Sequence, residues 1–239
     1  MDKTLEALII KTLDYQEHSQ LVYFYTKSGM QSALARGVKK MNNALRPYIQ
    51  VGNYLQITLS LGKLPTIKTA EKIDHYPSIK TDLIKTTVLS SLLETVSLCV
   101  SKEDDHPKLF NFLIKCFNAL KKTNDALELS LLFDLKMLYF LGYGLNFNQC
   151  HVCASKDDLY LDTFTGMVSC KMHLDNPHVA LNQDTFMPLK YLLYADVTTY
   201  ESLALPQEAS LRLMKIIDQL FVDHLGLKRK SKTLLYTLL

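Results

Sequence analysis

Tyr54-Leu55-Gln56-Ile57-Thr58-Leu59 alternates Tyr, Gln and Thr with Leu, Ile and Leu, a strict period of two. Successive side chains of a strand point to opposite faces, so the three aliphatic residues share one face. The run predicts a half-buried strand over residues 48–59, with the alternation in its second half. Working outward, residues 8–13 and 20–26 are further apolar runs, and Lys27-Ser28-Gly29 supplies turn chemistry before residues 30–35. Residues 64–73 make a fifth candidate strand. Five short strands in a basic stretch of this length predict a small closed barrel of the OB-fold kind, and an SH3-like barrel fits nearly as well.

From residue 79 the period changes to that of a helix. Leu92, Leu93, Val96 and Val100 recur at spacings of three and four in a run opened by Thr81-Asp82-Leu83. Residues 101–107 form a charged break, residues 109–120 and 126–141 read as two more helices, and Gly142-Tyr143-Gly144 ends the last. Residues 126–141 fit a core helix better than a groove wall. Nearer the end, Leu213, Met214, Ile217, Leu220, Phe221, His224 and Leu225 mark one apolar helix face. The expected fold class is α+β and multidomain: an N-terminal OB-fold β-barrel at 1–78, then a helical bundle at 79–145 and 179–239. A zinc finger at 146–178 interrupts the bundle.

The finger rests on spacing. Cys150 and Cys153 form a Cys-x-x-Cys pair, and after a gap of sixteen residues Cys170 and His173 form a Cys-x-x-His pair. Two such pairs are the signature of a four-coordinate zinc site, since each short turn aims both side chains at one point. Four protein ligands leave no open position for water, so the expected ion is structural. His151 and His178 lie nearby as alternatives for the fourth position. Cys99 and Cys116, inside apolar helical runs, are expected to be ordinary buried thiols.

Charge is unevenly spread. The first 80 residues hold eleven Lys/Arg against six Asp/Glu, although the whole chain carries only +3. The excess gathers in Arg36-Gly37-Val38-Lys39-Lys40, leading to Arg46, and a second cluster, Lys228-Arg229-Lys230-Ser231-Lys232, sits near the end. Arg36, Lys39, Lys40, Arg46, Lys228, Arg229, Lys230 and Lys232 are therefore the candidate phosphate contacts. Tyr15, Tyr23, Tyr25, Tyr48 and Tyr54 are candidate platforms for unpaired bases. Neither a phosphate-cradling glycine loop nor a Gly-x-Ser-x-Gly elbow occurs. Asp104-Asp105-His106 stands before Pro107 in the charged break and is expected to be a loop or helix cap. The expectation is a non-enzyme; a zinc-dependent hydrolase would need the open metal position that four ligands deny. The opening residues carry acids early with no long apolar run after them, and no segment reaches the roughly 18 apolar residues a bilayer span needs. An intracellular protein without a membrane partner is expected.

Several segments, in order, resemble the RecO family of bacterial recombination mediators. They are Leu8-Ile9-Ile10-Lys11-Thr12 with Asp14-Tyr15 and Glu17, Ala35-Arg36-Gly37-Val38-Lys39-Lys40, and Leu61-Gly62-Lys63-Leu64. Leu141-Gly142-Tyr143 ahead of Cys150, Gly166 ahead of Cys170, and His224-Leu225-Gly226 before the second basic cluster complete them. The resemblance implies an OB-fold, a helical bundle and an inserted zinc finger. It implies binding of single- and double-stranded DNA, annealing of complementary strands, and action with a RecR partner. It further implies docking of the acidic C-terminal tail of the single-stranded-DNA-binding protein and loading of RecA onto DNA that protein coats. The place implied is the bacterial cytoplasm, at the nucleoid. Two departures stand out: many members carry Cys where this chain has His173, and arginines are common where it has Lys39 and Lys40. The competing reading is a non-catalytic protein-interaction scaffold that meets DNA only incidentally.

Overall fold

The computed structural model describes residues 2–60, 62–101, 104–143, 145–163, 165–175 and 180–239. Leu61, Gly144 and His178, each used in reading the sequence, lie outside the described residues. The chain divides into two compact units, Met1–Lys121 and Lys122–Leu239.

In the first unit, strands β1 (Asp2–Tyr15), β2 (Ser19–Thr26), β3 (Gly29–Ala35), β4 (Tyr54–Ser60) and β5 (Thr66–Asp74) close into a barrel in the order β1-β2-β3-β5-β4. All neighbours pair antiparallel except β3 and β5, which meet in parallel at Leu34 and Thr66. This is the five-stranded Greek-key arrangement of an OB-fold. Leu55, Ile57 and Leu59 point inward, at most 2% exposed, beside Ala7, Ile9, Val22, Phe24, Ala33 and Ile67. Each buried Leu, Ile, Val or Phe side chain among them contributes about 1.5–3 kcal/mol by leaving water. A register shift between Ile9 and Lys11 lets the long β1 bend from β4 to β2.

The fourth strand begins at Tyr54, not at Tyr48. Residues 48–53 are turns, with Gly52 at φ +81°, a conformation that a side chain there would strain. Asn53 replaces the ladder, its amide donating to the Tyr48 carbonyl at 2.7 Å.

Three helices complete this unit: α1 (Pro77–Lys80), α2 (Leu83–Cys99) and α3 (His106–Lys122). Asp82 caps α2 by accepting from the Lys85 amide, and Asp105 caps α3 by accepting from that of Lys108. Asp104 and Asp105 are thus loop and cap residues, as expected from their place before Pro107. The Tyr25 hydroxyl lies 3.1 Å from His106 Nδ1, and Tyr76 packs edge-on against Phe117. Cys116 is buried and Cys99 half-buried.

In the second unit α4 (Ala126–Phe140) is buried on nearly every side, including polar Glu128, Ser130 and Asp134. A helix buried all round is a core helix. It packs against α5 (Gln183–Tyr194) and α6 (Gln207–Leu225), and α7 (Lys230–Leu238) closes the chain. Between α4 and α5 a small sheet runs in the order β7-β6-β8, from β6 (Leu159–Asp162), β7 (Val168–Cys170) and β8 (Ala180–Asn182). Glu128 accepts from the Leu203 amide and the Ser202 hydroxyl, tying the α5–α6 connection to α4, and burial pushes its carboxyl up. Among the described residues no helix is long and apolar enough to cross a membrane.

Candidate metal centre and nucleic-acid interface

The β6–β7 hairpin and the turn before it bring the four expected ligands together. Cys150 starts a tight turn closed by its own bonds: its amide donates to the Ser155 carbonyl at 2.8 Å, and the Ala154 amide donates to its carbonyl at 3.0 Å. Ala154 sits at φ 58°, which swings the chain round and leaves Cys153 on the turn. The His151 amide donates to the Val168 carbonyl, fixing this turn to β7. Cys170 ends β7, paired with Leu159, and a 3₁₀ turn over Lys171–His173 returns His173 to the same point.

The ligand atoms of Cys150, Cys153, Cys170 and His173 all lie within 4.8 Å of one another. Cys153 and Cys170 sulfurs are 3.7 Å apart, and His173 Nδ1 is 3.3 Å from the Cys170 sulfur and 3.8 Å from that of Cys150. A tetrahedron with metal–sulfur bonds of about 2.3 Å and a metal–nitrogen bond of about 2.0 Å has edges of about 3.5–3.8 Å. The observed separations fit one ion at the centre. His151 is turned away: its Nδ1 faces the Val168 carbonyl at 3.1 Å and the Ser169 hydroxyl at 3.2 Å. Burial pushes the Cys150 thiol up, but backbone amides of Cys153, Cys170 and Val152 outweigh it and bring the thiol down to about 6. A sulfur held so readily as thiolate is prepared for a cation.

The basic segment 36–53 is the β3–β4 connection. Val38, Leu45, Tyr48 and Ile49 pack into or against the barrel core, so the loop plugs one end of the barrel. Its backbone is a chain of turns, with the Gly37 amide bonded to the Ser19 hydroxyl and the Asn43 side chain to the Arg36 carbonyl. Arg36, Lys39, Lys40 and Arg46 all remain exposed on this pinned frame. The Lys39 ammonium lies 2.8 Å from the Asp14 carboxylate, and Lys39 and Gln20 together hold that carboxyl below its usual range.

The aromatic candidates separate by burial. Tyr25 is fully enclosed, and burial pushes its hydroxyl well above the phenol range, so it is no base platform. Tyr54 donates to Glu6 and its ring stands edge-on to Phe110, while Tyr48 lies edge-on to His75. Tyr15 is 38% exposed and Tyr23 half-buried.

The C-terminal cluster must be corrected. Lys228 and Lys230 are exposed, but Arg229 and Lys232 are 2% and 0% exposed and lie inside the second unit. Arg229 reaches Asp134 and Asp218, each at 2.6 Å, and stacks 3.9 Å from the Phe221 ring. Lys232 reaches Asp134 and the Ser130 hydroxyl, both at 2.6 Å. A buried guanidinium and ammonium already paired to carboxylates cannot meet phosphate. The sequence did carry a signal: Asp134 is the lone acid inside Leu-rich α4 after its first turn, and a buried carboxylate demands buried cations.

Comparison with known proteins yields two family matches that together span nearly the whole chain. Residues 1–76 match the model for Recombination protein O N terminal, and residues 80–233 that for Recombination protein O C terminal. The chain is 28% identical to the DNA repair protein RecO of Clostridium novyi, over 95% of this chain and 90% of that protein. Identity is 26% to the DNA repair protein RecO of Bacillus subtilis, over 96% and 92%, and 28% to that of Clostridium perfringens, over 95% and 94%.

Proposed function

The chain belongs to the RecO family of DNA repair and recombination proteins, and from that premise we propose that it binds single- and double-stranded DNA and anneals complementary strands. In this reading it works with a RecR partner, docks the acidic tail of the single-stranded-DNA-binding protein, and helps place RecA on the coated strand. The observation that carries it is the pinned basic loop. Arg36, Lys39, Lys40 and Arg46 are held exposed on a barrel end plugged by Val38 and Ile49. Cations on a preordered frame neutralise phosphates without first paying for loop ordering, and two strands can then approach. Lys228 and Lys230, exposed on the second unit, are further candidate contacts.

Cys150, Cys153, Cys170 and His173 would hold one zinc ion. Bound there, zinc would supply folding free energy to the hairpin, with no ligand position left for substrate. This chain's residues do the rest: the turn at Ala154 and the 3₁₀ turn orient the donors, and the Val168 and Ser169 contacts of His151 brace the first turn.

Strand annealing tests the reading. Two complementary labelled oligonucleotides are mixed with the protein, without ATP, over a range of salt concentrations. Acceleration that fades with salt is expected. A folded protein that gives none would favour the scaffold reading.

A further inference from the structure

The four side chains of the metal centre differ in access. Cys150 and Cys170 are 1% and 5% exposed, whereas Cys153 is exposed on its turn, beside Val152 at 58%. His173 approaches the sulfurs of Cys170 and Cys150, which leaves Cys153 as the solvent-facing corner. The Cys170 sulfur lies 3.7 Å from it, seventeen positions along the chain and on β7. Both positions are fixed: Cys170 by pairing with Leu159, and the Cys150–Ala154 turn by its bonds to Ser155 and Val168.

We propose that Cys153 is the oxidation-sensitive sulfur of this centre, and that hydrogen peroxide joins it to Cys170 as a disulfide, expelling the metal. Access selects the first sulfur, and the 3.7 Å approach of Cys170 offers the second. The Cys153 thiolate attacks one peroxide oxygen, the O–O bond breaks, and hydroxide leaves to become water on taking a proton. Cys153 is then a sulfenic acid. The Cys170 sulfur attacks it, the S–O bond breaks, and a second hydroxide leaves and is protonated to water. The two sulfurs give up two electrons in all, and one peroxide becomes two waters. Only Cys150 and His173 then remain as donors, too few to retain a zinc ion that takes four. A thiol reductant reverses the bond and lets the metal return.

The last consequence rests on the metal reading, whereas the disulfide does not, and one experiment separates them. Metal content of the full purified chain is measured first. The chain is then titrated with hydrogen peroxide beside a zinc-sensitive dye, and its peptides are mapped without reduction. The expected result is release of about one equivalent of zinc in step with a peptide crosslinked through Cys153 and Cys170. Dithiothreitol with added zinc should restore both. A crosslink between Cys150 and Cys153, or thiols that stay intact where free glutathione is oxidised, overturns the proposal. A chain isolated without metal that still forms the Cys153–Cys170 crosslink upholds the disulfide and refutes the metal alone.

Discussion

Arg229 and Asp134 meet at 2.6 Å with both side chains shut away from solvent, 95 residues apart in the chain. Asp218 and Lys232 complete the group, so two cations and two carboxylates offset one another inside the second unit. The arrangement pins the start of α7 to α4 and α6.

Replacing Asp134 with Asn should strand Arg229 and Lys232 as under-compensated buried charges. The expected loss is about 3–5 kcal/mol, the cost of breaking a buried pair from one side. Urea denaturation of the full chain checks it; a loss below 1 kcal/mol, the range of exposed pairs, would contradict the role given to Asp134.

The same carboxylate sets an acid limit. Burial pushes Asp134 up, but Arg229 and Lys232 outweigh it and hold its carboxyl below the ordinary value of about 3.9. A depressed carboxyl contributes stability in full above its unfolded value, and loses it as pH falls through the lower folded value. The wild-type chain should therefore lose stability steeply below about pH 4. Asp134→Asn should flatten that limb, read as midpoint against pH for both proteins.

Changing Lys39 and Lys40 together to Glu should weaken DNA binding and annealing while leaving the fold intact, since both are exposed. The log–log salt dependence should fall by about 1–2 units, one for each lost phosphate contact. Unchanged affinity at low salt would remove the loop from the interface.

Cys150→Ser, or exhaustive chelation, should empty the metal centre and loosen residues 150–173 in hydrogen exchange. Salt-sensitive annealing should persist, because the cations of residues 36–46 belong to the other compact unit. Full metal content in the Cys150→Ser chain would refute Cys150 as a ligand.

Gly29 sits at φ +93°, and a Cβ there would stand 2.8 Å from His106 Nε2. Gly29→Ala should cost about 1–2 kcal/mol for the left-handed backbone alone, with additional displacement of the His106 ring from Tyr25. Thermal unfolding measures the sum; a neutral substitution would show that the β2–β3 turn rearranges freely.

Much of the barrel was legible because strand patterning is local. Leu55, Ile57 and Leu59 announce their shared face within six residues, and burial follows that face. The boundary at Tyr54 was not legible: residues 48–53 are apolar enough to read as strand, yet the Asn53 bond to the Tyr48 carbonyl and the backbone of Gly52 make a turn. Tyr25 and Tyr15 look alike in sequence, and only the packing of Tyr25 under His106 and Phe110 removes it from solvent.

The sequence by itself determined the alternating strands, the helical periods and the Cys150, Cys153, Cys170 and His173 cluster, because each depends on short spacings. Two Cys-x-x pairs need only tight turns to converge, whatever surrounds them. The tertiary structure alone decided the fate of Lys228-Arg229-Lys230-Ser231-Lys232. Its four cations divide into exposed Lys228 and Lys230 and buried Arg229 and Lys232. What divides them is Asp134 on a distant helix: a buried carboxylate must be matched by cations, and it draws in Arg229 at the cap of α7 and Lys232 within α7.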